Sequence, residues 1–329
     1  MYIKAYSVRS GSVNNGADLL DVVDGRKEIE NSKVADIDSI AGLRKYRRMD
    51  RISLLGEVLM GDLMKGHEPG WIEENKIGSV LNTSYGCLDT NIKFIREFVS
   101  GDESQISAID FSHTVYNAAL GHMCTNYRMK GPSTMLLSSN YPEVANQLLN
   151  DKKAEYMMAG GVEPFSEELD DYMHELGVSI TESGCLFLLS NEKEEDDFGE
   201  IVDYAAAFIS NHPYMNGDKS KGLGENAAEK IRTCMDKIKK KSELADEVAF
   251  IVESTPVSDN HSDEDKAIEA VFPQTERVYI REKTHETLGA SLGIAILYAA
   301  LRLKRDGKKA AVVNHLDING TFVSYLIKG

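Results

Sequence analysis

The chain has 329 residues, of which 42% are hydrophobic and 27% charged, as is usual for a globular protein in water. Its formal net charge is −16 at pH 7, which argues against a nucleic-acid partner because such partners require a basic surface. The cysteines, Cys87, Cys124, Cys185 and Cys234, are too widely spaced for a metal-binding or disulfide framework, and no metal site is expected.

Hydrophobic periodicity predicts alternating strands and helices in the first part of the chain. The predicted elements are strands over residues 3–8, 77–82, 155–159 and 184–189 and helices over 47–63, 89–98 and 115–127. The helix over 89–98 is expected to bury Ile92, Phe94, Ile95 and Phe98. The helix over 115–127 is expected to pack closely because it contains the small residues Ala118, Ala119 and Gly121.

A strand, a sharp turn and a helix start are predicted over residues 131–143, with the helix covering 142–150. Ser139 or Asn140 is predicted to cap this helix, because their side-chain oxygens can accept hydrogen bonds from its first N–H groups. Pro142 fits the first turn, where its missing N–H costs nothing. Gly131 and Pro132 are expected to permit dense packing beneath the turn.

The second part of the chain repeats this order after an acidic stretch over residues 191–197, which predicts two domains, 1–195 and 196–329. Its predicted strands cover residues 201–208, 248–252, 277–280, 310–314 and 321–327, and its helices cover 224–240, 263–272 and 287–305. Alternating strands and helices predict an α/β fold class. The apolar run over 288–303 is too short and too mixed to span a membrane and predicts a buried helix.

Single cysteine and histidine residues support weaker predictions than the strand and helix patterns do. Cys124 lies in a helix and is expected to be a buried packing residue, whereas Cys87 follows a glycine in a turn and is expected to be partly exposed. The loop over residues 258–263 contains His261 among carboxylates, which are expected to cap the next helix rather than to bind a metal. The scattered thiols and a start without a signal-peptide stretch predict a cytoplasmic protein.

A series of short motifs runs through most of the chain. They lie at residues 47–51, 83–88, 111–122, 130–133, 159–163, 182–185, 287–291 and 319–321, and include Ala159-Gly160-Gly161-Val162-Glu163 and Thr287-Leu288-Gly289-Ala290-Ser291. In content and order they resemble the β-ketoacyl synthases, condensing enzymes of the thiolase superfamily. The resemblance implies a duplicated thiolase-like fold of five layers, α/β/α/β/α, and usually a dimer.

The family's catalysts are two histidines and a cysteine at a helix N-terminus, where the cysteine accepts an acyl chain from a carrier. In this sequence the cysteine position holds Asn140, whose amide is not a nucleophile. The first histidine would lie within residues 251–256, which contain none, and the second falls on Glu286, with His285 one place early. The resemblance assigns binding roles to Thr255 and to the C-terminal loop residues Ile318, at a bulky gate position, Asn319 and Gly320.

The resemblance therefore implies a homologue without condensing chemistry, a chain-length-factor-like or acyl-binding partner subunit in fatty-acid or polyketide-type synthesis. The implied partners are an active ketosynthase subunit, an acyl carrier protein or both, with a homodimer also open. No cofactor is expected beyond the carrier's phosphopantetheine. Two alternatives remain: an acyl-thioester hydrolase, transferase or decarboxylase using Ser139 with His285, or a condensing enzyme with a relocated thiol, first of all Cys87. The missing cysteine and histidines leave undecided whether the chain is an enzyme.

Overall fold

The computed structural model describes residues 1–43, 45–65, 72–101, 106–215, 222–224, 226–256 and 262–329. His261 lies outside these residues, so the predicted role of its loop stays a prediction. The strands are β1 (Tyr2–Ser10), β2 (Ile77–Asn82), β3 (Ser133–Leu136), β4 (Tyr156–Glu163), β5 (Ser183–Ser190), β6 (Gly199–Phe208), β7 (Val248–Ser254), β8 (Glu276–Tyr279), β9 (Ala310–Leu316) and β10 (Thr321–Lys328). The helices are α1 (Gly16–Val23), α2 (Ala35–Ala41), α3 (Arg51–Leu63), α4 (Leu88–Val99), α5 (Ala108–Ser112), α6 (Asn117–Asn126), α7 (Tyr141–Asn150), α8 (Glu167–Glu175), α9 (Ala227–Lys241), α10 (Ser262–Val271), α11 (Arg281–Thr284) and α12 (Ser291–Asp306).

The strands form one sheet in the order β3-β2-β4-β5-β1-β6-β10-β9-β7-β8. In its first half β2 is parallel to β3 and β4, and β5 is antiparallel to β4 and β1. The second half repeats the pattern, because β7 is parallel to β8 and β9, and β10 is antiparallel to β9 and β6. The halves join where β1 pairs with β6. The duplicated fold is therefore confirmed, while the domain boundary between residues 195 and 196 stays a prediction.

Helices and strands alternate in five layers. One core lies where α3 and α6 pack on the first half of the sheet and contains Leu55 and Met158. A second core lies between the halves around α7 and α12 and contains Tyr141 and Val313. A third core lies where α9 packs on the second half, with α10 against α9. This layering confirms the predicted α/β fold class.

The long apolar helix near the C-terminus is buried as predicted. α12 begins at Ser291, later than expected, because Leu288–Ala290 form a short 3-10 turn before it. The helix contacts strands of both sheet halves, so apolar side chains are buried on most of its circumference. No helix in the described part of the chain is long and apolar enough to cross a lipid bilayer.

Two predictions about packing are wrong. α4 matches the helix predicted over 89–98, but none of its residues is buried, and Ile95 and Phe98 are 58% and 64% exposed. Gly121 lies at the surface, where an added side-chain carbon would meet nothing within 4 Å. Gly131 does make the expected close approach, because a Cβ there would collide with the carbonyl group of Ile77. Helical periodicity in α4 thus marks an apolar face that this chain alone leaves uncovered.

Candidate functional site

The turn between β3 and α7 carries the position where the resemblance places the catalytic cysteine. Asn140 occupies the N-cap position of α7, but its side chain accepts no hydrogen bond from the first turn. With φ −86° and ψ 25°, its backbone lacks the extended shape that directs an N-cap side chain towards the helix. The predicted capping by Asn140 is therefore wrong, and Ser139 is engaged elsewhere. Pro142 lies in the first turn as predicted.

Ser139 belongs to a chain of buried polar side chains that extends to β9 and α11. Its Oγ lies 3.0 Å from Nε2 of His315, and its backbone N–H donates to the Asp317 carboxylate at 2.5 Å. On the other side of the imidazole ring, Nδ1 of His315 lies 3.1 Å from Nη2 of Arg281. All four residues are 4% exposed or less, so water does not compete for these hydrogen bonds.

The contact with Arg281 fixes the protonation of His315. A guanidinium group has donors only, so Nδ1 must accept and the ring proton lies on Nε2. Nε2 therefore donates to Ser139, which is the wrong direction for a general base that activates a serine hydroxyl. Burial, and then the charge of Arg281, hold the pKa of His315 well below its ordinary value, so the ring is neutral at pH 7.

Glu286, at the family's second histidine position, is the acidic partner of Arg281. Its Oε2 accepts hydrogen bonds from Nη1 of Arg281 and from the Tyr214 hydroxyl, both at 2.8 Å. Its Oε1 accepts from the Leu288 N–H at 2.8 Å and from the Ser291 hydroxyl at 3.2 Å. Burial raises the pKa of this carboxyl, but the Arg281 charge and these hydrogen bonds lower it more, so the net shift is downward. A fully bonded carboxylate thus takes the place of an imidazole.

The structure does not bring His285 to Ser139. Instead, Nδ1 of His285 lies 3.1 Å from the Thr181 hydroxyl. The backbone of Glu286 forms two hydrogen bonds with the segment before β5, whereas the backbone of His285 has φ 58° and ψ −171° and is not extended. The Glu286 side chain therefore contacts Arg281, while the His285 side chain contacts Thr181. The predicted pairing of Ser139 with His285 is therefore wrong, and the histidine beside Ser139 comes from β9.

The C-terminal loop lies against the turn, while the binding roles assigned to its residues stay predictions. The Asn319 side chain donates to the carbonyl of Leu137 at 3.4 Å. Gly320 has a φ of 89°, a left-handed conformation that glycine adopts without strain. Ile318 is half-buried beside the site. The Thr255 hydroxyl donates to a buried glutamate of α10 at 2.6 Å.

A cavity of about 10 Å³ lies beside this network and is lined by Arg281, His212, Tyr214, His315, Asp317 and Ile318, among others. That volume holds about one water molecule. Burial, and then the Arg281 charge, lower the pKa of His212 to about 4, so this imidazole is also neutral at pH 7. An acyl thioester does not fit this cavity.

Glu163, the last residue of β4, joins two segments that border the site. One carboxylate oxygen accepts from the N–H groups of Tyr85 and Gly86, at 2.9 and 3.1 Å. The other accepts from the N–H groups of Ser84 and Gly289, at 2.6 and 3.1 Å. The buried carboxylate thus connects the turn before α4 with the segment that leads into α12.

The cysteines offer no favourable replacement nucleophile. Cys87 is buried, not partly exposed as predicted, and burial raises the pKa of its thiol. A raised pKa disfavours the thiolate that attacks a thioester. Cys124 packs against the core beneath α3 and α6 as predicted, but it is half-buried, beside the hydroxyls of Ser79 and Ser133, and not buried.

His315, Arg281 and Asp317 are site residues that the sequence patterns do not single out. Their positions in the sequence could have indicated them, because Arg281 comes shortly after the end of β8 and His315 is next to the last residue of β9. β7, β8 and β9 are parallel neighbours, so their carboxyl ends lie at one edge of the sheet, where ligands usually bind in α/β folds. Polar residues at these strand ends could therefore be grouped once the strand order is known.

Neither a family model nor a curated protein matches the sequence. Solved structures match over nearly the whole chain. The ishigamide ketosynthase/chain length factor has a TM-score of 0.82 and 17% identity, covering 99% of this chain and 98% of that chain. A type II polyketide synthase acyl-carrier protein in complex with its ketosynthase gives 0.80 and 13%, covering 100% and 99%. A ketosynthase in complex with its chain length factor from Xenorhabdus doucetiae gives 0.73 and 16%, covering 99% and 97%. The chain therefore has the thiolase-like fold of ketosynthases and chain length factors.

Proposed function

We propose that this chain is a non-condensing partner subunit in polyketide- or fatty-acid-type synthesis, comparable to a chain length factor, and that it pairs with an active ketosynthase. The observation that carries the proposal is the closed network of Ser139, His315, Arg281 and Glu286, where the resemblance implies a thiol and two imidazoles. Condensation needs a thiolate that holds the acyl chain. Here the nearest hydroxyl accepts a hydrogen bond from a neutral imidazole instead of losing its proton to it.

An uncovered apolar surface supports the pairing. α4, α5 and residues 113–116 form what we name the docking lobe, and neither helix contains a buried residue. The ring centroids of Phe94 and Phe111 lie 5.5 Å apart and join the two helices. Large apolar patches of this kind mark interaction sites in soluble proteins, so we assign the ketosynthase contact to the lobe. Its exposed side chains, each 43–76% accessible, are Ile95, Phe98, Val99, Ile109, Phe111 and Val115.

A pocket of about 300 Å³, which we name the basic pocket because four cationic side chains line it against three aspartates, supports docking of an acyl carrier protein, whose phosphopantetheine arm is anionic. Arg47 and Arg48 line the pocket, are exposed, and form no ion pair with a described residue. The first turns of α3 and α4 also line it and add the positive end of their helix dipoles. On a chain of net charge −16, two guanidinium groups that form no ion pair within the described residues are the feature that best fits a phosphodiester.

Intact mass spectrometry after incubation with an acyl-carrier thioester tests the loss of condensing chemistry. We expect no acyl adduct on the wild-type chain, whereas the active ketosynthase in the same assay becomes loaded. An adduct that disappears with Ser139→Ala would refute the proposal and support an acyl-thioester hydrolase or transferase. An adduct that disappears with Cys87→Ala would support a relocated thiol.

Co-expression with the ketosynthase of its own gene neighbourhood, followed by size analysis, tests the pairing. We expect a heterodimer that is lost in Phe98→Asp/Phe111→Asp, because the change buries two charges at the contact. Phe208→Asp is the control, since Phe208 is 62% exposed on β6, outside the lobe. A strictly homodimeric chain beside the ketosynthase would contradict the proposal.

Binding of the carrier protein tests the basic pocket. Arg47→Glu/Arg48→Glu should weaken binding and reduce its dependence on salt concentration, because the two guanidinium groups are the expected anion contacts. Arg232→Glu changes an exposed arginine of α9 and should leave binding unchanged. Equal affinity of both variants would remove the pocket as the carrier site without affecting the pairing result.

A further inference from the structure

Two histidines at the base of the docking lobe form a hydrogen-bonded pair. Nε2 of His113, directly after α5, lies 3.1 Å from Nε2 of His122 in α6, and the ring planes are 9° apart. The ring centroids are 5.3 Å apart, which is about the length of this bond plus two ring radii. The bond therefore lies along the line that joins the two ring centres. His113 is buried and His122 half-buried, so the bond is shielded from water.

The surroundings decide which ring donates. Nδ1 of His113 lies 2.9 Å from the Ile109 carbonyl oxygen, which can only accept, so this nitrogen carries a proton. Nε2 of His113 therefore accepts, and the proton between the rings belongs to Nε2 of His122. A first added proton can bind Nδ1 of His122 and leave the bond intact. A second must bind Nε2 of His113, where two donors would then face each other, so the second proton breaks the bond.

We propose that the His113–His122 pair is an acid-opened clasp that holds α5 on α6 and so fixes the shape of the docking lobe. The clasp depends only on the geometry given above, whereas its consequence for partner binding rests on the proposed function. Burial, and then the neighbouring ring, lower the pKa of His122, so the first proton, and the second that follows it, are taken up on the acid side of neutrality.

Charged groups from several elements face the pair through the basic pocket that His113 also lines. Those that oppose a second positive charge, from the segment before α3, α3 itself and α4, are Arg47, Arg48, Arg51 and Lys93. Those that favour it, from the same segment, α4 and α5, are Asp50, Asp89 and Asp110. Positive and negative groups both surround the pair. We therefore expect its two-step protonation, and not one nearby charge, to set how the pair responds to pH.

Amide hydrogen exchange of the chain alone tests the clasp. The intrinsic exchange rate falls in proportion to hydroxide concentration on acidification, whereas an opening that takes up one proton becomes more favourable in proportion to proton concentration. The two dependences cancel, so exchange over residues 107–122 should become nearly independent of pH below about pH 6. Exchange in the buried strand β5 should keep slowing over the same range.

His122→Gln is the informative variant, because its side-chain amide can donate to Nε2 of His113 or, turned over, accept from that nitrogen when it is protonated, so the bond survives the second proton. It should restore the ordinary pH dependence over residues 107–122, while His174→Gln, which changes an exposed histidine of α8, should behave as wild type. The clasp is refuted if residues 107–122 follow β5 in the wild type, or if His122→Gln retains the flat profile.

Affinity for the ketosynthase tests the consequence for docking. Between about pH 8 and about pH 5.5 the wild type should lose affinity and His122→Gln should not. Equal losses would overturn the regulatory role. A chain that binds no ketosynthase at any pH would refute the proposed function, and with it the docking consequence, while hydrogen exchange would still decide on the clasp.

Discussion

Arg281→Met tests the buried network most directly. Methionine fills similar space without charge, so the change removes the hydrogen bonds donated to Glu286, His315 and the Leu316 carbonyl, and leaves the Glu286 carboxylate without its counterion. Loss of one partner of a buried ion pair costs about 3–5 kcal/mol. For 329 residues the entropy of unfolding is about 0.7 kcal/mol/K. The expected fall in Tm is therefore about 4–7 °C.

Calorimetry of a double variant separates the charge from the packing. Arg281→Met with Glu286→Gln removes both charges, so no buried charge is left without a partner. The double variant should therefore lose less stability than the sum of the two single losses. Arg96→Met is the control, because Arg96 forms an exposed ion pair on α4 and should change Tm little. A fall in Tm below about 1 °C for Arg281→Met, or strict additivity in the double variant, would refute a buried, charged pair.

Further predictions concern other buried groups. Burial, and then a neighbouring glutamate, raise the pKa of Glu253 from 4.5 to about 10, so the native state keeps a proton that the unfolded chain loses, and stability falls as pH rises between these values. Glu253→Gln should therefore raise Tm at about pH 8 but not at about pH 5, and equal effects at both would contradict this. Gly161→Ala should lower Tm, because a Cβ there collides with a backbone carbonyl before α12. Gly121→Ala, at an open position of α6, should stabilise the protein by about 0.5–1 kcal/mol. A higher Tm for Gly161→Ala than for Gly121→Ala would contradict the packing. In native protein a thiol reagent should modify Cys124 first and Cys87 only after unfolding, and early labelling of Cys87 would show that it is accessible.

Much of the fold could be predicted because strands and helices of this chain have clear periods. β2 at Ile77–Asn82 coincides with the predicted strand, and α12 follows the predicted apolar run. α8 escaped prediction because only Leu169 and Met173 are buried among its many acidic residues, which is too sparse a pattern for a periodicity argument. The uncovered face of α4 could not be predicted either, since periodicity shows which side of a helix is apolar but not which molecule covers it.

The candidate site was predictable in what it lacks and not in what it contains. The resemblance assigns positions along the chain, so the absence of a thiol at Asn140 and of an imidazole at Glu286 follows from the sequence. The contact between Ser139 and His315 joins residues 176 positions apart, and it exists only because the sheet places the end of β9 beside the turn before α7. The tautomer of His315 depends in turn on a third residue, Arg281, from the segment after β8.

Glu163 gives this chain a mechanical connection between its exterior and its interior. The same carboxylate accepts hydrogen bonds from the backbone of the turn before α4 and from the N–H of Gly289, three residues after Glu286. A force that shifts α4 must either break these bonds or pull on the residues beside the buried ion pair. Assembly with another subunit can therefore strain the interior directly, through one side chain and without any small molecule entering.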